Sequence, residues 1–290
     1  MAPVATNQMR REAAKRKLKT QQERRVAAAQ RRQRVAVLTS VGVVVLVVVG
    51  IVLFTTLSGG DPAPDPAAAP PEAPASNAVV PESIPTELAP LPVRTAPLPD
   101  PSPCAYPADG TEAARPVTPP PAEAPASGTV AVTLQTSAGT VPLTLDRALA
   151  PCTVNSFVSL AQQGYFDATP CHRLTTNPGL QVLQCGDPTG TGTSGPGYTI
   201  PDEVFPELTY GRGILAMANT GQPNSGGSQF FMVYGDGQLP PQYTAFGSID
   251  PAGLEVVDGV ARAGHDGSLD PSPGGGAPIE PVTIESATVS

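Results

Sequence analysis

Basic residues are almost absent from most of this 290-residue chain. No lysine occurs after Lys19, and 11 of the 17 lysines and arginines lie before residue 35. Residues 35–290 carry 6 basic and 23 acidic side chains, which gives them a net charge of −17. Because such an acidic surface repels phosphate backbones, it excludes nucleic acid as a partner of the folded part of the chain.

Histidine is equally scarce, since the chain contains only His172 and His265. No histidine or cysteine pair has the C-x2-C or H-x3-H spacing of zinc sites, so we predict no metal. Ser228 does not lie in a G-x-S-x-G elbow, and neither histidine has an evident orienting partner, which argues against a serine hydrolase. The glycine-rich string at 190–195 is followed by a Pro-Gly pair rather than a helix, so we predict no dinucleotide or other cofactor.

Cysteine is limited to four residues, Cys104, Cys152, Cys171 and Cys185. An even set in an oxidising compartment favours two disulfides. A bond between Cys171 and Cys185 is feasible, because they lie on apolar runs that flank a connection of about ten residues. That pairing leaves Cys104 to bond with Cys152. The sequence alone leaves all three possible connectivities open.

One long apolar run stands near the amino terminus. Residues 35–57 read VAVLTSVGVVVLVVVGIVLFTTL, 23 residues without a charge, and about 20 suffice to cross a bilayer. The basic segment 1–34 predicts a cytoplasmic amino terminus and an extracytoplasmic remainder, as in a single-pass protein of the cell membrane. A cleaved signal peptide is the alternative, but its apolar region spans about 7 to 15 residues. The basic segment could also bind nucleic acid or anionic lipid.

Proline, alanine and acidic residues dominate residues 58–127, which have hardly any periodic apolar pattern. Such a composition is typical of an extended, disordered linker without a core of its own. Cys104 interrupts it, and an unpaired thiol there would be reactive. A folded domain is expected over residues 128–290.

The periodicity of residues 128–290 predicts a mainly β domain. Alternating apolar residues at 130–134 and 141–145 flank a Ser-Ala-Gly turn, which indicates a hairpin. Helical patterns begin at Pro151 and Leu254 and stop at Gly164 and Gly264. Short apolar runs predict further strands at His172–Thr175, Val182–Gln184, Ile214–Ala218, Phe230–Val233, Phe246–Ile249 and Ile279–Ala287. Many short strands with two helices indicate a small antiparallel barrel or sandwich.

Five blocks of this domain follow the order found in a known family. They are HR at 172–173, VLQCGD at 182–187, GILAMAN at 213–219, GSQFF at 227–231 and TAFG at 244–247. The domain resembles the cyclophilin-type peptidyl-prolyl cis-trans isomerases, and the layout of the chain is similar to the membrane-anchored, extracytoplasmic cyclophilins of actinobacteria. The resemblance implies an eight-stranded antiparallel barrel capped by two helices. It also implies a monomer that isomerises X-Pro bonds in proline-containing peptides and in unfolded or secreted proteins.

The resemblance further assigns roles to individual residues. Arg173 matches the catalytic arginine, which donates to the prolyl nitrogen of the twisted amide. Gln184 and Asn219 match residues that bind the peptide backbone, and Phe231 matches the floor of the proline pocket. Other substrate-binding positions match Val182, Gln181, Ala218, Gln229, Leu239 and Tyr243.

The chain departs from the family pattern at three positions and by an extra residue or so between Arg173 and Gln184. A phenylalanine of the family aligns with Gln181, a tryptophan with Gln238 and a histidine with Tyr243. The loss of an aromatic at Gln181 thins the apolar wall of the pocket. These departures leave a second function open, a non-catalytic module that binds prolyl peptides at the cell surface.

Overall fold

The computed structural model describes residues 78–290. The predicted cytoplasmic segment 1–34, the predicted membrane span 35–57 and the start of the predicted linker lie outside these residues. Within residues 78–290, no helix has the length and apolar character that crossing a membrane requires.

Residues 78–290 contain eleven short strands and two helices. The helices are α1, Pro151–Gln162, and α2, Pro251–Ala263. The strands are β1 Ser102–Pro103, β2 Glu123–Ala124, β3 Thr129–Thr136, β4 Gly139–Asp146, β5 Thr169–Pro170, β6 Arg173–Leu174, β7 Leu180–Cys185, β8 Ile214–Met217, β9 Phe230–Gly237, β10 Ala245–Ile249 and β11 Thr283–Val289.

Nine of these strands form one antiparallel sheet in the order β5-β11-β3-β4-β10-β8-β9-β7-β6. Its two end strands, β5 and β6, are separated in the chain only by Cys171 and His172, so the sheet curls back toward itself. The predicted number of eight strands is therefore corrected to nine. The extra strand arises because the chain changes partner here, since β5 pairs with β11 and β6 pairs with β7.

The curled sheet has an inner and an outer apolar face, because side chains alternate along each strand. In β9, Phe230, Met232 and Tyr234 belong to the inner core, whereas Phe231 and Val233 belong to a separate outer cluster. The inner core is aromatic beneath α1. The centroid of the Phe157 ring lies 4.8, 5.2 and 5.4 Å from the ring centroids of Phe166, Phe230 and Phe246, respectively.

The predicted hairpin and helices are confirmed. Strands β3 and β4 pair without a break from Thr129–Asp146 to Thr136–Gly139. Helix α1 begins at Pro151 as predicted, and Gly164 follows its end with a φ of 68°, a conformation that glycine adopts readily. Helix α2 begins at Pro251, three residues before the predicted start.

Residues 78–127, which we call the arm, correct the prediction of a disordered linker. The arm is extended and proline-rich, but it lies along the domain and is bound to it by polar contacts. Arg94 donates from Nε to the Leu149 carbonyl at 2.8 Å and from Nη2 to the Glu203 carbonyl at 2.6 Å. Tyr106 donates its hydroxyl to the Cys152 carbonyl at 2.9 Å. The arm is therefore ordered by the surface of the domain and needs no core of its own.

Two disulfides are present, and of the three connectivities that the sequence leaves open they have the one described above as feasible. Cys104 bonds to Cys152, which joins the arm to α1, and Cys171 bonds to Cys185, which joins the start of β6 to the end of β7. Residues 78–290 contain no free cysteine. Both cysteines of the second pair lie in the inner core, directly behind the candidate site.

Candidate functional site

Strand pairing brings the predicted site residues into one row across the sheet. Arg173 on β6 pairs with Gln184 on β7, Gln184 pairs with Phe231 on β9, and Phe231 pairs with Ala216 on β8. Directly paired residues point to the same side of a sheet. A cation, a carboxamide and an aromatic ring that are distant in sequence therefore become neighbours on the outer face.

Arg173 is held in place by its own chain. Its Nη1 donates to Gln184 Oε1 at 3.0 Å, its Nε donates to the Gly274 carbonyl at 2.9 Å, and its Nη2 donates to the Pro273 carbonyl at 3.0 Å. Burial lowers the pKa of Arg173, but a guanidinium remains charged in proteins. Because a guanidinium has five N–H donors in a fixed plane, these bonds orient the group and still leave two donors.

Gln184 continues this network away from Arg173. Its Nε2 donates to Gln229 Oε1 at 2.9 Å, and Gln229 Nε2 donates to the Ser194 carbonyl at 3.2 Å. The arginine and the two glutamines thus form a continuous chain of hydrogen bonds along the outer face. The carboxamide oxygen of Gln184 faces Arg173, which fixes the orientation of that amide.

An outer apolar cluster lies beside this polar chain. Phe231 and Val182 are 5% and 2% exposed, and Ala218, Leu239 and Tyr243 pack against them in a half-buried position. The ring of Tyr243 meets the ring of Phe231 edge to face, with 5.6 Å between centroids. A half-buried patch of aromatic and aliphatic groups can accept a small apolar ring such as that of proline.

A cavity of about 450 Å³ opens on the other side of Gln184 and Gln229, and Ala218 and Asn219 also line it. Asn219 donates from Nδ2 to the Gln242 carbonyl at 2.9 Å, and its Oδ1 accepts from the Gly221 N–H at 3.0 Å. The cavity and the outer apolar cluster share Ala218, so they form two compartments of one groove.

Gln181 does not join the other predicted residues, and its assignment to the pocket wall is wrong. It is 4% exposed, and its Nε2 donates to the Ser83 carbonyl at 2.7 Å while its Oε1 accepts from the Asp236 N–H at 2.9 Å. The register of β7 with β9 shifts at this position. The side chain therefore fills a bulge of β9, where it contacts the backbone of Gly235 so closely that a Cβ there would clash.

Several residues of the outer cluster were not foreseen from the sequence. One is Leu180, which precedes the register shift of β7. The others come from the loop before β8 and are Val204, Phe205, Leu208 and Tyr210. Tyr210 donates its hydroxyl to the Tyr243 carbonyl at 2.6 Å, and burial raises the pKa of Tyr210 to about 12. The only sequence feature that could have indicated them is the apolar residues of VFPEL at 204–208. Their spacing fits neither a strand nor a helix, so it does not predict which of them are buried together.

The described residues around the groove form no evident metal site. Within residues 78–290, no three His, Cys, Asp or Glu side chains come together as metal ligands. Burial lowers the pKa of His172, and the ring of His172 packs against Gly192.

Residues 131–289, more than half of the chain, match the family model described as "Cyclophilin type peptidyl-prolyl cis-trans isomerase/CLD". The chain belongs to the cyclophilin family. Peptidyl-prolyl cis-trans isomerase A of Mycobacterium tuberculosis is a cyclophilin relative with 37% identity over 180 residues, which are 56% of this chain and 93% of the relative.

A longer cyclophilin relative is more similar in sequence. The probable peptidyl-prolyl cis-trans isomerase B of Mycobacterium leprae is 48% identical over 197 residues. The match covers 63% of this chain and 65% of that relative, so the chain spans less than two thirds of the relative's length. Among solved structures, a cyclophilin-type isomerase of Cryptosporidium parvum has 32% identity and a TM-score of 0.49, and it covers 56% of this chain and 98% of its own.

Proposed function

We propose that this cyclophilin catalyses cis-trans isomerisation of X-Pro bonds in extracytoplasmic proteins and thereby assists their folding. The observation that carries the proposal is the position of Arg173. Its guanidinium is fixed by three hydrogen bonds to its own chain and lies in the same row as the apolar ring of Phe231. A donor at the edge of an apolar pocket suits a substrate whose reacting group is a proline ring.

The chemistry requires no bond to be broken. An amide resists rotation by about 18 to 20 kcal/mol because the nitrogen lone pair is shared with the carbonyl, and X-Pro bonds therefore isomerise in tens to hundreds of seconds without a catalyst. In the twisted state the lone pair returns to the nitrogen, which becomes a good hydrogen-bond acceptor. A donor from Arg173 stabilises this state more than the planar one, and such a difference lowers the barrier.

The remaining groove residues have supporting roles in this proposal. Phe231, Val182, Leu239 and Tyr243 hold the proline ring, so that rotation occurs on its amino-terminal side. Gln184, Gln229 and Asn219 present carboxamides to the peptide backbone, and Ala218 separates the two compartments. The oriented guanidinium needs no reorganisation during the rotation, which is the condition for electrostatic stabilisation of a transition state.

The location of the domain is part of the proposal. Residues 35–57 anchor the chain in the cell membrane, with residues 1–34 in the cytoplasm and the isomerase domain outside as a monomer. The two disulfides support an oxidising compartment. Protease added to intact cells should degrade the domain and leave the amino terminus protected. Protection of the domain would defeat the proposed topology.

The activity is tested with the full-length chain and an Ala-Pro peptide. NMR exchange spectroscopy measures the rate of cis-trans interconversion, and a titration followed by chemical shifts measures the dissociation constant in the same sample. The proposal predicts exchange that increases in proportion to protein concentration. Binding without any acceleration would instead identify a prolyl-peptide-binding module.

A further inference from the structure

One wall of the 450 Å³ cavity comes from the arm, because Asp109 and Thr111 line it together with Gln184 and Gln229. The arm runs along residues 195–199 at this point. The Asp109 N–H donates to the Gly197 carbonyl at 3.2 Å, and the Thr199 N–H donates to the Pro107 carbonyl at 2.9 Å. The wall is therefore built from main-chain pairing rather than from loose side-chain contact.

The arm is also fixed just before this wall. The Cys104–Cys152 disulfide bonds it to α1, and the ring of Tyr106 packs against the ring of Tyr198 with 5.7 Å between centroids. Tyr198 itself lines the cavity. These contacts hold Asp109 at one place on the cavity rim, so its charge acts on the cavity from a defined position.

Among residues 78–290, Asp109 is the only acidic or basic side chain that lines this cavity. The other described lining residues are all uncharged, among them Thr111, Tyr198, Asn219 and the two glutamines. Oδ1 of Asp109 accepts from the N–H and the hydroxyl of Thr111, both at 2.7 Å. The ion pairs found within residues 78–290 both involve Asp258, so no described cation neutralises Asp109.

The groove consequently carries two charges of opposite sign. Arg173 lies at one end of the chain of hydrogen bonds through Gln184 and Gln229, and Asp109 lines the same cavity as the two glutamines. A peptide whose proline lies beside Arg173 extends over the cavity within a few residues. A basic side chain there meets Asp109, whereas an acidic one meets a like charge.

We propose that Asp109 is a specificity-determining residue that favours substrates with a lysine or arginine close to the isomerised proline. The inference rests on the proposed isomerase function, because it assumes that a prolyl peptide occupies the groove. Asp109 is not part of the catalytic machinery. It selects among substrates through charge, and its contribution is that of an exposed ion pair, roughly a 1.5-fold to 5-fold preference.

The test uses the full-length chain and three sets of Ala-Pro peptides that differ only in one residue near the proline, which is lysine, glutamine or glutamate. This residue is moved over each of the nearest positions on both sides of the proline. At low ionic strength, the lysine peptide should show the higher kcat/KM and the lower Kd at one or two positions. The preference should fade in about 1 M salt, where the screening length is near 3 Å.

Two variants separate charge from structure. Asp109→Asn retains an oxygen for Thr111 and should abolish the preference, and Asp109→Lys should invert it in favour of glutamate. Glu112→Gln is the matched control, because Glu112 is an exposed acid three residues away that does not line the cavity. It should keep the preference. Glu112→Gln should also turn over the glutamine peptide at the parent rate.

The inference is overturned if the parent treats lysine and glutamine peptides alike at every position, or if Asp109→Asn keeps the parent's preference. Failure of the isomerase function is recognised separately. If the parent binds the peptides without isomerising them, the isomerase proposal fails, and the Kd values for lysine and glutamine peptides still decide the role of Asp109.

Discussion

Arg173 and Gln184 are joined twice, once as paired residues of neighbouring strands and once through a 3.0 Å hydrogen bond from Nη1 to Oε1. The Cys171–Cys185 disulfide lies directly behind them, since Cys185 follows Gln184 and Cys171 precedes Arg173 by two residues. The covalent bond therefore fixes the spacing of the two strands at the point where the catalytic side chain of the proposed isomerase is held.

Removal of this disulfide should damage both stability and turnover. The double variant Cys171→Ala/Cys185→Ala lacks the covalent bond that closes a loop with a sequence separation of 14. By the loss of chain entropy in the unfolded state, that bond contributes about 3 kcal/mol to the free energy of unfolding. Turnover should fall as well, because the Arg173–Gln184 pair loses its support. Denaturant unfolding and NMR exchange of an Ala-Pro peptide measure the two effects.

The other disulfide provides the matched control. Cys104→Ala/Cys152→Ala opens a loop with a sequence separation of 48, for which the same account gives about 4 kcal/mol. It leaves the Arg173–Gln184 pair untouched, so turnover of an uncharged peptide should stay at the parent value. An equal loss of turnover in both double variants would contradict the positioning role of the Cys171–Cys185 bond.

Glu203 should contribute to stability as a helix cap that comes from a distant loop. The Ala150 side chain gives α1 no cap, and the Glu203 carboxylate instead accepts from the N–H groups of Cys152 and Thr153 at 3.0 and 2.8 Å. These are free donors of the first turn. Glu203→Ala should lower the free energy of unfolding by about 1 to 3 kcal/mol, measured by urea denaturation.

An exposed acid of the same loop is the control for this cap. Glu207 is exposed, and Glu207→Ala should change the free energy of unfolding by no more than about 0.5 kcal/mol. If the two substitutions lowered the free energy of unfolding equally, the loss of an acidic charge would explain both effects. The bonds from Glu203 to the helix N–H groups would then contribute nothing to stability.

The parts of the fold with a regular period were predictable from sequence, and the arm was not. The alternation in β3 and β4 and the apolar stripe of α1 each define a face that must be buried, so the hairpin and the helix follow from the residues themselves. The arm has no such face. Single contacts order it, among them Arg94 over the ring of Phe205 at 4.6 Å, and each depends on where the chain lies in three dimensions.

The site divides in the same way. Arg173, Gln184 and Phe231 fall in one row because their strands are regular there, and resemblance in sequence was enough to predict that they share one groove. Gln181 was misassigned because the β9 bulge breaks the alternation that any position-by-position comparison assumes. The extra residues of the bulge lie on β9, so the sequence of β7 does not predict it.

Acid should lower the free energy of unfolding through His265, which lies at the start of the segment that hydrogen-bonds Arg173. His265 is fully buried, its Nδ1 accepts from the Gly267 N–H at 3.0 Å, and its Nε2 lies 3.0 Å from the Thr176 hydroxyl. Burial lowers the pKa of His265, although Asp270 and Asp266 partly oppose this effect. The folded state therefore resists a proton that the unfolded chain accepts near pH 6.5, so the unfolding free energy should fall as pH drops below about 6.5.

Turnover should fall on the acidic side too, because protonated Nδ1 can no longer accept from Gly267. The segment that begins there supplies the carbonyls of Pro273 and Gly274 to Arg173. His265→Gln should reduce the acid loss of stability between pH 7.5 and 5 and flatten the acid loss of turnover. His172→Gln is the control, since its pKa is also lowered by burial but no bond in this segment depends on it. It should reduce the acid loss of stability and keep the loss of turnover.

Arg173 is proposed to stabilise the twisted amide, so replacing it with alanine should slow isomerisation. A lost charge-assisted hydrogen bond of about 1.5 to 3 kcal/mol corresponds to a rate about 10-fold to 150-fold lower. Peptide affinity should change much less, because a planar prolyl nitrogen is a poor acceptor. Arg173→Lys should recover little, since a flexible point charge lacks the planar fork. Phe231→Ala, in contrast, should weaken binding and rate together.

The deciding measurement is NMR exchange of an Ala-Pro peptide with the parent and with Arg173→Ala, alongside the dissociation constant of each. If Arg173 stabilises the twisted amide, the exchange rate at saturation should fall at least about 10-fold in the variant while the dissociation constant stays close to the parent value. Full exchange with Arg173→Ala, or a parent protein that binds the peptide and does not accelerate its exchange, would contradict it.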